Sequence, residues 1–283
     1  MEPKLVISLF FLAHFIADFI LPAWKAGSKK PLPFLGYILH GITLLATGAI
    51  LTLPFLSPRL LMVNLALTLI HLIIDLIHPR LKKSFPFFGL EFFLFEQCLH
   101  SLFILSSWPF IQGVELNWIN IRLGYHLVSW YPVLGRITAK QLYLAVVVIT
   151  GYIFGLNGGT IIVRQTLQKF DFIKKPQNNG GTGTTGLENI RQRWSIGAAV
   201  GILERLLIIT LVLLKNYALI GLVLTGKSLV RFKEFTDQEF TEYYLIGSLT
   251  SILVALVVGI LLISLFNLEN ASHFLSGIFG MGG

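Results

Sequence analysis

Residues 68–79 read TLIHLIIDLIHP, an apolar run that carries His71, Asp75 and His78. At about 100° per residue, positions 0, 4 and 7 of an α-helix fall within roughly 60° of one another. The other residues between them are Leu and Ile, so the segment predicts a helix with one polar stripe and an otherwise apolar surface. On a lipid-buried helix such a stripe is costly unless it meets a partner, a cavity or a metal. The first hundred residues supply partners of the right chemistry: His14 with Asp18, His40, and Glu96 with His100.

The rest of the chain says which solvent this helix lives in. Its 283 residues are 54% hydrophobic and 13% charged, with a mean hydropathy of +0.76. Soluble domains carry about 25% charged residues, so the composition predicts an integral membrane protein. The lone cysteine, Cys98, rules out an internal disulfide and a cysteine-based zinc cluster. The first apolar segment has no small-residue cleavage site and carries His14 and Asp18, so it reads as a retained helix rather than a signal peptide. A net charge of +8 and a pI of 9.6 would suit a nucleic-acid partner. Hydrophobicity excludes a soluble nucleic-acid binder, and topology accounts for the basic residues.

The expected fold class is all-α: a polytopic transmembrane helical bundle with about eight spans. These cover residues 4–24, 33–56, 60–78, 87–111, 141–164 (broken at Gly155–Gly159), 194–214, 217–229 and 244–266. The seventh is short and the fifth interrupted, so seven is the alternative count. Five parts follow: a four-helix domain at 1–112 with the polar constellation, an interfacial segment at 113–140, a fifth helix at 141–173, a flexible linker at 174–193 and a three-helix part at 194–283. The interfacial segment owes its reading to Trp118, Tyr125, Trp130 and Tyr131. The linker owes its own to KKPQNNGGTGTTG.

Lys and Arg set the orientation. Connections carrying Lys25, Lys29 and Lys30, then Arg80, Lys82 and Lys83, then six residues from Arg164 to Arg193, then Lys227, Arg231 and Lys233 fall on one side. The other side has Lys4, Arg59, Arg122, Arg136, Lys140 and Lys215. The positive-inside rule puts the richer side in the cytoplasm and both termini outside. His14, Asp18, His40, His71, Asp75, His78, Glu96 and His100 then share the cytoplasmic half of the bilayer, a coincidence that scattered core histidines would not produce.

Imidazole nitrogens and carboxylate oxygens form the ligand set of Zn²⁺, Mn²⁺ or Fe²⁺. Spacings of four put both members of His14–Asp18, His71–Asp75 and Glu96–His100 on one helical face, the device by which helical bundles build carboxylate–histidine metal sites. A divalent metal, zinc foremost, is the expected cofactor. His14, Asp18, His71, Asp75 and His100 are the expected ligands, Glu96 is the general base, and His40 and His78 orient those ligands or hold a further metal. Eight such groups exceed the needs of one ion.

At HFIADFILP, HxxxDxxHP and FEQCLH the chain resembles bacterial membrane proteins carrying the domain of unknown function 3307. The resemblance rests on His14, Asp18, His40, His71, Asp75, Glu96, Gln97 and His100, with Glu96 where an Asp is the commoner residue. GILERLL at 201–207 and EFTEYYLIGSL at 239–249 are similar to the longer members. The resemblance implies a multi-pass protein of the bacterial cytoplasmic (inner) membrane and carries no activity with it. A looser likeness, in His/Asp usage alone, is to bacterial inner-membrane metal-dependent hydrolases.

Three further signals lie in the second half. GLVLTGKS at 221–228 satisfies the letters of a phosphate-binding loop, but Leu, Val and Leu in an apolar helix do not make a cradle of small residues; Lys227 and Arg231 are expected to snorkel to headgroups. Glu204 and Arg205 sit mid-span and point about 100° apart. Glu204 is expected to pair with Lys227 or Arg231, and Arg205 with Glu239 or Glu242. The leading function is a metal-dependent hydrolase of a lipid or membrane-associated ester or phosphoester. The alternative is a non-enzymatic component, either an ion or small-solute transporter or an accessory subunit. The expected partners are membrane lipid and, for so apolar a chain, a membrane protein complex or a second copy of itself.

Overall fold

The computed structural model describes residues 2–21, 33–55, 57–170, 184–236 and 238–279. Every regular element among them is helical. The chain divides into two compact units, Met1–Ile153 and Phe154–Gly283.

In the first unit α1 (Glu2–Phe15) runs on as a π turn, Ile16–Ile20. α2 is Pro33–Leu51, α3 is Pro58–Ser84, α4 is Gly89–Ser106, α5 is Trp118–Trp130 and α6 is Ala139–Ile153. α1 packs against α2, α4 and α6, while α2 packs on α3 and α3 on α4. Helices α1 to α4 thereby close into a ring. From Leu5 to Ala13 α1 is apolar but for Ser8, as suits a helix surrounded by others, and Leu5, Val6, Leu9, Phe10 and Leu12 form the core with Phe55, Leu60, Ile104, Ile111 and Val146.

The α2–α3 seam depends on two glycines one heptad apart. Leu72 Cδ1 lies 2.7 Å from where a Gly41 Cβ would stand, and Asn64 occupies the same place at Gly48 while donating to Leu45 O at 3.0 Å. Outward-facing positions are large and apolar, Ile50 at 67% exposure and Met62 at 71% among them. Inward-facing positions include His14, His40, Asn64, His71, Gln97 and His100. A polar cluster inside and large apolar side chains across the outer face is not the pattern of a water-soluble bundle.

In the second unit a π turn (Phe154–Gly158) leads into α7 (Gly159–Lys169), followed by α8 (Thr184–Leu213), α9 (Tyr217–Arg231) and α10 (Gln238–Phe279). α8 and α10 pack together, and α10 also packs on α7. The break expected at Gly155–Gly159 is not a break: 139–169 is helical throughout. The glycines instead admit neighbours. Ile209 Cδ1 stands 2.6 Å from a Gly155 Cβ position and Arg205 Nε 2.9 Å from that of Gly159.

Among the described residues, four helical stretches are long and apolar enough to cross a membrane: Pro3–Ile20, Pro58–Ile77, Ala139–Lys169 and Phe240–Asn267. Leu35–Leu51 and Tyr217–Val230 are apolar but shorter. Eight was the expectation. α4 falls outside the set because Glu91, Glu96, Gln97 and His100 lower its hydropathy. The linker expected at 174–193 lies outside the described residues up to 183; from Thr184 the chain is helical, as the good helix formers in LENIRQR allow.

The charges of α8 find partners that differ in part from those expected. Glu204 takes Lys227, Nζ to Oε2 at 2.7 Å, so this lysine ends on a carboxylate rather than at headgroups. It also disposes of the phosphate-loop pattern, whose lysine lies in α9. Arg205, 2% exposed, is held by neutral groups rather than by the expected glutamates. Its guanidinium donates to Ser251 Oγ at 3.0 Å, to Leu156 O at 2.9 Å and to Thr160 Oγ1.

Candidate metal centre

Each of the four ring helices sends polar groups to one place. His14 stands in the last turn of α1, and Asp18 lies in the π turn that follows. There Leu21 N–H donates to Ile16 O, five residues back, at 3.0 Å. Such wide turns recur at functional sites because they re-aim a side chain within a helix. α2 contributes His40, α3 His71 and Asp75, and α4 Gln97 and His100.

His40 and His71 meet nitrogen to nitrogen, Nε2 to Nε2 at 3.1 Å. Asp75 Oδ2 lies 3.4 Å from both of these nitrogens. Asp18 Oδ1 lies 3.3 Å from His40 Nε2 and 3.4 Å from His71 Nε2. Two donor triangles therefore share the His40–His71 edge. His71 is the hub, since its ring also stacks on His100 with centroids 3.9 Å apart and meets His14 edge-on at 5.0 Å. His14, His40, His71 and His100 are all buried.

Gln97 ties the far side together. Its Nε2 donates to Asp18 Oδ2 at 3.4 Å, and its Oε1 lies 3.3 Å from His14 Nε2. A cavity of about 40 Å³ borders His14, His71 and His100, with Asn64 and Thr68 in its wall. That is room for water.

Two donor groups follow, each with ligand atoms within 4.8 Å of one another: His14, Asp18, His71 and His100, and His40, His71 and Asp75. This buried His/Asp cluster has the composition and spacing to hold a metal ion.

Of the sequence candidates, His14, Asp18, His40, His71, Asp75 and His100 come together. Glu96 belongs to neither group; on α4 it is Gln97, about 100° away, that points inward. The backbone of His78 continues α3, and its side chain is outside the described residues. His40 moves from the periphery of the expected site to its centre. Gln97 had no expected role, although its place three residues before His100 on one helix face was a signal for it.

Residues 6–128 match the family model described as Protein of unknown function (DUF3307). This part of the chain is a DUF3307 domain. No curated protein and no solved structure matches the chain. The DUF3307 match spans all six clustered residues, so the centre belongs to this domain, whereas Glu204, Arg205 and Lys227 lie beyond it.

Proposed function

We propose that the chain is an integral membrane protein whose DUF3307 domain binds a transition metal, zinc foremost. We propose further that it uses this ion to hydrolyse a lipid or other membrane-associated ester or phosphoester. The observation that carries this reading is the triangle of His40 Nε2, His71 Nε2 and Asp75 Oδ2, with edges of 3.1, 3.4 and 3.4 Å. Ligands bonded at about 2.0–2.2 Å to a tetrahedral ion stand roughly 3.3–3.6 Å apart. Two imidazole nitrogens and a carboxylate oxygen gathered so closely form a donor set whose spacing suits a cation among them.

Two imidazoles and one carboxylate leave a coordination position open, which distinguishes catalytic zinc from closed structural zinc. A bound ion there supplies Lewis acidity and lowers the pKa of water towards 7. Asp18 Oδ1, against the His40–His71 edge, is the carboxylate placed to accept a proton, a better-placed base than Glu96. Gln97 holds Asp18 and His14 in position.

Full-length protein in detergent, stripped with chelator and reloaded with Zn²⁺, is expected to retain zinc stoichiometrically. It is also expected to hydrolyse a member of a panel of phospholipids and nitrophenyl esters and phosphoesters only when loaded. Zinc retention without zinc-dependent turnover on any of them removes the hydrolase. No retained metal removes the centre.

The same reading has the shorter apolar helices and α4 and α8 crossing the bilayer beside the four longer ones, with both termini outside. In a Cys98→Ser background, Lys29→Cys is expected to react with an impermeant thiol reagent only from the cytoplasmic side, and Arg122→Cys only from the outer side. Labelling of both from the same side overturns this topology.

A further inference from the structure

Resting on the metal reading above, we propose that the cluster holds two metal ions, the second bound by His14, His100 and Asp18 beside the first at His40, His71 and Asp75. Gln97 fixes the chemistry of this second set. Its Nε2 faces Asp18 Oδ2 at 3.4 Å, and a carboxylate only accepts, so the amide has one orientation. Its Oε1 is then left for His14 Nε2 at 3.3 Å. Because Oε1 also only accepts, the His14 proton is on Nε2 and the lone pair on Nδ1.

That lone pair has no hydrogen-bond partner and faces Asp18 Oδ2 at 3.8 Å in a buried place. Two lone-pair atoms so placed repel, and a cation between them turns the repulsion into binding. His100 repeats the pattern. It is 2% exposed, neither ring nitrogen has a hydrogen-bond partner, and Nε2 stands 3.8 Å from Asp75 Oδ1. The 3.8 Å between His14 Nδ1 and Asp18 Oδ2 lets both lie about 2.0–2.2 Å from one ion, and a ligand atom of His100 lies within 4.8 Å of theirs.

His71 is within range of this set as well, but its Nε2 is committed to the first centre. What remains is again two imidazoles and a carboxylate. Each aspartate then spans the two sets. Asp18 offers Oδ2 to the second set and turns Oδ1 to the first, while Asp75 offers Oδ2 to the first and turns Oδ1 towards His100. Paired ions held about 3.5–4 Å apart suit in-line displacement at a phosphoester, clamping the attacking and leaving oxygens together.

The test is full-length protein in detergent, stripped with chelator, equilibrated with excess Mn²⁺ and desalted. Two manganese ions per chain and an exchange-coupled paramagnetic resonance spectrum are expected for the wild type. His14→Gln and His100→Gln are each expected to hold one ion and give an uncoupled signal. One ion per chain with an uncoupled spectrum in the wild type, unchanged in both variants, overturns the second ion and leaves the first centre standing. No ion overturns both. Circular dichroism and gel filtration report whether the variants fold, and where they do not, the wild-type stoichiometry and spectrum decide alone.

Discussion

Purified His71→Ala protein is expected to retain less than about a tenth of the metal held by the wild type, a larger loss than from any other single substitution in the cluster. Changing a group that merely orients a ligand costs roughly 10–100-fold in affinity, and His71 is more than that. It is the one residue common to both donor groups. Its Nε2 lies 3.1 Å from His40 and 3.4 Å from oxygens of both Asp18 and Asp75. Alanine also withdraws the imidazole on which His100 stacks at 3.9 Å. The damage extends to folding, because two largely buried carboxylates lose a shared partner. Removing one member of a buried, hydrogen-bonded charged set costs about 3–5 kcal/mol. A lower melting temperature in detergent should therefore accompany the loss of metal. Added imidazole should restore part of the metal content by filling the space left behind. His126→Ala, an exposed position outside both groups, should change neither quantity. Unaltered metal content and melting temperature in His71→Ala would remove the centre from the account of this protein.

Residues 68–79 carried most of what was legible. The stripe on an apolar helix gave the helix and, through His71 and Asp75, the face that meets the cluster and its chemistry, because helical periodicity is a local property. Partners at i and i+4 on α1 and α3 were legible for the same reason. His40 was undervalued because it stands alone on α2 among Leu, Ile, Gly and Thr, and nothing local marks the side on which it meets His71. Glu96 drew attention as a carboxylate, yet the neutral Gln97 is the residue that reaches Asp18 and His14. Charge is visible in a sequence, whereas helix rotation is fixed by packing. Arg205 shows the converse. Its partners were sought among glutamates, and it takes a serine, a threonine and a main-chain carbonyl from α10, α7 and the π turn. Neutral partners leave no charge pattern to read. Gly155 and Gly159 looked like a break because glycine has low helix propensity. In a bundle the same residue also serves close approach, and only the neighbours distinguish the two uses.

Those neighbours make Gly159 the site of a sharp test in the second unit. A Cβ at Gly159 would stand 2.9 Å from Arg205 Nε, 3.0 Å from Arg205 Cδ and 3.1 Å from Val254 Cγ1. A flexible side chain would swing aside, but Arg205 is held at its far end by Ser251, Leu156 O and Thr160. Gly159→Ala should therefore destabilise by about 1–3 kcal/mol, the usual cost of overpacking a well-filled site. Arg205→Ala should destabilise too, by roughly 2–5 kcal/mol in the manner of a large-to-small core change, since the guanidinium and its stem are almost wholly buried. The two effects should not add. With Arg205 truncated, the atoms that Cβ would strike are gone, and alanine exceeds glycine in helix propensity by about 1 kcal/mol. In the Arg205→Ala background, Gly159→Ala should thus be neutral or stabilising, giving a coupling of about 2 kcal/mol or more between residues in direct contact. Melting temperatures of the four proteins in one detergent measure it. Simple additivity would mean that Gly159 is glycine for a reason other than Arg205. The coupling expected here would make the glycine and the arginine one packing unit, in which a buried cation is accommodated through neutral acceptors because a glycine clears its path.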